Sequence, residues 1–134
     1  MDRRINLLRE EITLQHGNLL AIAENLKVSL EMYFDLDELK ALANRLLTLA
    51  ELHFTTEEAL MHMVKYRDIA FHAKEHLNIL HGLRENITCL CHDLESCNDL
   101  VNSVNDWLID HMNRVDKEFE NYYVFFINQG FLDA

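Results

Sequence analysis

His53 and Glu57 stand four residues apart, as do His72 and His76; His111 and Asp116 stand five apart, and His16 lies alone in the first amphipathic stretch. Imidazoles and carboxylates are donors that non-haem iron accepts, so these seven side chains suggest a metal chemistry before any fold is considered. Positions four apart lie one turn apart on one helix face, close enough to aim two side chains at one centre. A single His-x-x-x-His or His-x-x-x-Glu pair is weak evidence, because many helices carry one by chance. The weight comes from where these residues fall. Each occupies a slot where an apolar helical stripe calls for an apolar side chain. No basic residue shares those stripes. Seven polar groups facing one core would cost several kcal/mol for each uncompensated ion. Two ferrous ions would bring four positive charges against the two carboxylates and remove that penalty.

The elements that must position them follow from the apolar period. Four stretches repeat apolar residues at three- and four-residue steps, which predicts helices over about 5–33, 36–65, 67–94 and 98–120. Ile12, Leu19, Ala23 and Leu26 flank His16; Leu46, Ala50, Leu60 and Val64 flank the second pair; Ile69, Ile79 and Leu83 flank the third; Val104, Leu108 and Val115 flank the fourth. The joins are short. Asp35 is a cap for the second helix, residues 66–68 separate the second from the third, and Ser96, Asn98 and Asp99 are caps for the fourth. Short joins make neighbours antiparallel, so the expected architecture is an all-α, up-down-up-down four-helix bundle within a single domain, 1–134. Proline is absent and glycine occurs three times, which leaves long helices uninterrupted. The aromatic segment 121–134 is expected to pack back on the bundle or to lead into a further domain. On an ideal helix the five-residue step from His111 to Asp116 turns about 140°. A widened, π-like turn between them, or a tilted axis, is therefore expected.

A formal charge of -11 without a basic cluster argues against nucleic acid and anionic membranes as partners. No apolar run is long enough to cross a bilayer, and the opening residues do not read as a signal peptide, so a cytoplasmic location is expected. Cys89, Cys91 and Cys97 are odd in number and crowded together, the wrong arithmetic for a secreted disulfide framework. A zinc site with His92 is disfavoured because Cys89 and Cys91 would point about 200° apart on a helix. Ordinary thiols of a reducing compartment are expected.

The run His53-Phe-Thr-Thr-Glu57-Glu-Ala-Leu-Met61, then Tyr66, His72-Ala-Lys-Glu-His76 and Trp107-Leu-Ile-Asp-His111-Met-Asn-Arg-Val-Asp116 resembles the hemerythrin family. The resemblance extends from His16 to about Phe119 in the family's spacing and chain order. It implies two iron ions, ferrous or ferric, with His72, His76 and His111 on one and His16 and His53 on the other. Glu57 and Asp116 would bridge them beside a hydroxide or oxide. The iron with two histidines would keep an open position for dioxygen, or for a small anion such as azide when oxidised. Phe54, Trp107, Leu108 and Met112 would keep the dioxygen pocket apolar. Thr13 and Gly17 stand where family members commonly have an acidic residue and a lysine, and Met112 where isoleucine is usual.

Reversible dioxygen binding, for carriage or for sensing within a longer signalling protein, is the leading functional expectation, and no enzyme activity is expected. The alternative is a di-iron enzyme acting on peroxide, nitric oxide or dioxygen. The Glu-x-x-His pairs of oxygen-activating bundles are absent. His62, His81 and His92 match no ligand position. Glu58 and Glu75 point about 100° away from the ligands they adjoin, toward solvent or behind the site. Tyr66 and Trp107 read as core packing or as pocket lining.

Overall fold

The computed structural model describes residues 3–32 and 35–133, the side chains of 130–133 excepted. Helix α1 spans Arg3–Met32, α2 Leu36–Met63, α3 Ile69–Thr88, α4 Leu94–Ser103 and α5 Asp110–Asp133. A π-helical segment, Val104–Ile109, joins α4 to α5, so the two form one continuous rod. Four rods linked by short turns pack as a bundle: α1 on α2, α2 on α3, α3 on α4, and α4 back on α1. No strand occurs among the described residues. The all-α four-helix architecture expected from the apolar period is the one present.

The turns have local causes. Asp35 has extended backbone and its carboxylate accepts from the amides of Asp37 (3.0 Å) and Glu38 (3.3 Å), satisfying two donors that a helix start leaves free. At the other end of α2, Tyr66 N–H donates to Met61 O (2.9 Å) across Lys65, whose φ of 56° is left-handed. That is a Schellman-type stop with lysine where glycine is usual. The third helix ends at Thr88, short of the expected 94, and the fourth begins at Leu94 instead of 98. Asp93 is its cap, accepting from the Ser96 amide, and Ser96 is occupied within the turn, accepting from Cys91 N–H at 3.1 Å. Ser96, Asn98 and Asp99 therefore do not start the helix. The expected end of the first helix, at 33, lies outside the described residues. The aromatic segment from 121 on is not a separate element: it prolongs α5, with Tyr123 buried and Tyr122, Phe126 and Ile127 half-buried.

The core is in two parts. Leu19, Leu26, Leu39, Leu46, Leu83, Leu100 and Leu108 belong to a large apolar cluster at one end. Ile5, Ile12, Leu60, Val64, Tyr66, Phe119 and Tyr123 form a smaller one at the other. Between them, on every rod, comes the polar stretch: Gln15 and His16 on α1, His53 and Glu57 on α2, His72 and His76 on α3, His111 and Asp116 on α5. A bundle with apolar clusters on both sides holds that layer in place, since no member can slide along its rod without burying polar atoms in hydrocarbon.

Candidate metal centre

All seven residues singled out by spacing meet in this layer. Six of them are at most 6 % exposed, and His16 is half-buried. Two carboxylates organise the set. Glu57 Oε1 lies 2.8 Å from His72 Nε2 and 3.1 Å from His76 Nε2, while its Oε2 lies 3.4 Å from His53 Nε2 and 4.0 Å from His16 Nε2. Asp116 Oδ1 lies 2.8 Å from His72 Nε2 and 3.1 Å from His111 Nε2, while its Oδ2 lies 3.3 Å from His16 Nε2. Each carboxylate thus turns one oxygen toward His72, His76 and His111 and the other toward His16 and its neighbours.

The donor atoms fall into two overlapping groups, each within 4.8 Å: Glu57, His72, His76, His111 and Asp116, and His16, His53, Glu57 and Asp116. Either could hold a metal ion. The residues fit such an occupant, because several buried atoms that face the centre lie near a carboxylate or an imidazole without a well-formed hydrogen bond: Nε2 of His16, His53 and His111, and Asp116 Oδ2. Orphaned polar atoms that converge on one point are costly unless something there satisfies them.

Electrostatics work in the same direction. Burial alone would raise the Glu57 carboxyl, yet the imidazoles of His53, His72 and His76 beside it hold it at about 2. Asp116 also stays well below the usual range despite burial, through the imidazoles of His111, His16 and His72 beside it. Burial would lower His72, but Asp116 and Glu57 lift it to about 9. Without metal, then, a proton on His72 offsets part of the charge of two ionised carboxylates. A cation bound there would replace that proton.

Three polar groups stand behind the imidazoles, of which Gln15 alone had no place in the sequence reading. His53 Nδ1 donates to the buried Gln15 Oε1 at 3.0 Å, and His76 Nδ1 to Glu58 Oε2 at 2.9 Å. His111 Nδ1 faces Glu75 Oε2 at 4.0 Å. The two hydrogen bonds fix the ring orientation and the tautomer by which His53 and His76 present Nε2 to a metal. The step from Gln15 to His53 crosses between helices, so no spacing rule within one helix finds it. Glu58 and Glu75 do lie off the ligand stripe, behind the site.

Phe54 is buried, stacks on His76 at 3.9 Å between ring centroids and meets His111 edge-on at 5.9 Å. Leu108 is fully buried and Met112 is half-buried against the same apolar cluster. Trp107 lines a surface pocket together with Ile79 and His111. It is 40 % exposed, and its ring covers Gly82 so closely that a Cβ there would lie 2.0 Å from it. Tyr66 packs on Phe119 at 4.9 Å and sits edge-on to His72 at 6.3 Å.

The widened turn is present but not where the five-residue step suggests. It occupies Val104–Ile109, ahead of His111, and the backbone from Asp110 through Asp116 is α-helical. Both side chains are still buried and meet, with His111 Nε2 3.1 Å from Asp116 Oδ1. His62, His81 and His92 are exposed, as expected of bystanders. The thiols lie beyond the end of α3: Cys89 caps it, Cys91 donates to Asp93 Oδ2 at 3.0 Å in the turn, and Cys97 is buried in α4. Among the described residues, no group that could hold a metal includes a cysteine.

Fold and site together define a class, the helical-bundle proteins whose polar core layer is built from histidine and carboxylate to receive metal. The chain belongs to the hemerythrin family, since the model of the hemerythrin HHE cation-binding domain matches residues 7–123. Among curated proteins it is similar to bacteriohemerythrins of Campylobacter jejuni subsp. jejuni, from the O:6, O:2 and O:23/36 serotypes. Each is 25 % identical over 123 residues, covering 91 % of this chain and 92 % of the relative. No solved structure matches the chain significantly.

Proposed function

We propose that this chain is a non-haem di-iron protein that binds dioxygen reversibly, as an oxygen carrier or as an oxygen- or redox-sensing domain. In this reading His72, His76 and His111 hold one iron, His16 and His53 hold the other, and Glu57 and Asp116 bridge them. The observation that carries it is the inequality of the two donor groups, five residues against four. An iron held by the smaller group would be a protein ligand short, and a vacancy is what a small exogenous ligand requires. The half-buried His16 sets that position nearest to solvent. The bacteriohemerythrin names of the relatives agree with it.

Ferrous iron bound there would supply the electrons for holding dioxygen. The chain supplies geometry and dryness. Phe54, Leu108 and Met112 wall the large apolar cluster against the polar layer, and exclusion of water strengthens the interactions inside while limiting solvent-driven loss of the bound ligand. Binding is favoured over turnover because the Glu-x-x-His pairs of oxygen-activating bundles are missing.

The test is an oxygen cycle. Ferrous protein prepared without oxygen should take up one dioxygen for every two irons, and purging should restore the starting spectrum over repeated cycles. Continuous consumption of dioxygen with an added reductant, and no recoverable oxygenated form, would overturn binding in favour of an enzyme.

A further inference from the structure

The two halves of the centre are supported from behind by groups of different charge. Once Nε2 of an imidazole faces the carboxylate pair, its Nδ1 is left to carry the proton and needs an acceptor. For His53 that acceptor is a neutral amide, Gln15 Oε1, at 3.0 Å. The amide is fixed in this sense because its Nε2 donates to Glu11 Oε1 and to Thr56 Oγ1, both at 3.2 Å. Turning it over would break both bonds and set an N–H against an N–H.

For His76 the acceptor is a carboxylate, Glu58 Oε2, at 2.9 Å. His111 Nδ1 is buried without a partner and has a second carboxylate, Glu75 Oε2, at 4.0 Å, so a small approach would add another charged acceptor. The three-histidine group thus has one imidazole hydrogen-bonded to a carboxylate and a second carboxylate 4.0 Å from another, while the direct acceptor behind the two-histidine group is an uncharged amide.

We propose that this difference sets the order in which the two irons are oxidised, with Gln15 and Glu58 as the positioning residues that impose it. The proposal rests on the di-iron reading above. A hydrogen bond from Nδ1–H to a carboxylate gives the imidazole more imidazolate character and makes Nε2 a stronger donor, which favours the ferric ion. The iron held by His72, His76 and His111 therefore loses the first electron. The iron held by His16 and His53 stays ferrous longer, and it is the one with the vacancy. A half-oxidised protein would keep its ligand-accepting iron reduced, and one added electron would restore it.

Two measurements test this. The first uses zinc-loaded protein, which needs no iron chemistry: the Nδ1 proton of His76 should resonate further downfield than that of His53, and Glu58→Gln should bring the two together. Equal shifts in the unsubstituted protein would overturn the proposal. The second is a redox titration of the iron-loaded protein followed by electron paramagnetic resonance. Unsubstituted protein should show two separated one-electron steps. Glu58→Gln should move the first to higher potential, and the exchange of Glu11→Gln with Gln15→Glu, which preserves net charge, should move the second to lower potential, so that each narrows the gap. Potentials unchanged in both variants at full iron content would overturn it. Iron content of the unsubstituted protein tests the di-iron reading alone, so the two failures are distinguishable.

Discussion

Glu57 on α2 and Asp116 on α5 grip the same atom, His72 Nε2, each at 2.8 Å, from opposite sides of the bundle. Glu57 contributes an oxygen to each of the two donor groups, so its loss is not local to one ion. Glu57→Ala should lower metal affinity at both positions by at least about tenfold, as removal of even supporting groups does. The exposed His62, one turn further along the helix, provides the control. Metal analysis after desalting should find little iron in Glu57→Ala and an unchanged content in His62→Ala. Equal effects would mean that ligands and bystanders have been misassigned.

The metal-free protein should have a stability window on the acid side of neutrality. Against burial, hydrogen bonding holds Glu57 at about 2, below its ordinary 4.5, and lifts His72 to about 9, above its ordinary 6.5. A carboxyl depressed by folding contributes stability that is present above 4.5 and is lost as the pH falls toward 2. An imidazole raised by folding contributes stability that is present below 6.5 and is lost as the pH rises toward 9. Urea midpoints of metal-free protein should therefore fall on both sides of a plateau between those ordinary values. With metal bound the alkaline decline should vanish, since binding displaces the His72 proton. A metal-free protein equally stable at pH 6.5 and 9 would contradict this electrostatic account.

Gly82 is held to glycine by the ring above it. A Cβ added there would meet Trp107 at 2.0 Å, and the ring must move to admit it. Gly82→Ala should cost about 1–3 kcal/mol, the range for overpacking a filled site. The emission of Trp107, the one tryptophan in the chain, should shift to the red as the ring is pushed into water. Unchanged emission and stability would show that the ring does not rest there.

Lys65 is the opposite case, a side chain where glycine would be easier. Its φ of 56° falls in the left-handed region that closes α2. Lys65→Gly should stabilise the fold by about 0.5–1 kcal/mol by relieving that conformation. Thermal unfolding checks it, and a loss of stability would mean that the lysine side chain holds the turn more strongly than its backbone strains it.

The bundle and the seven converging residues were legible because both rest on short-range helical period. His53 with Glu57 and His72 with His76 share a face by spacing alone, and their setting in apolar stripes marks them as inward-facing. Chain order along four antiparallel rods then brings the stripes to one level. What escaped the sequence depends on contacts between rods. Gln15 precedes His16 and would be read as off the stripe, yet it is buried because its amide bridges α1 to His53 and Thr56 on α2. The π segment fell at Val104–Ile109, where the chain carries Trp107 onto Gly82 of α3, a fit that residues on one helix do not encode. The boundary between α3 and α4 shifted because Asp93 and Ser96 close a turn together, and either alone is an ordinary polar residue.

Counting iron tests the central claim most directly. Protein reconstituted with ferrous iron in the absence of oxygen, desalted, and assayed for iron and protein on the same sample should contain two irons per chain, because the donor atoms form two groups that share Glu57 and Asp116. One iron per chain, or none, would contradict the account.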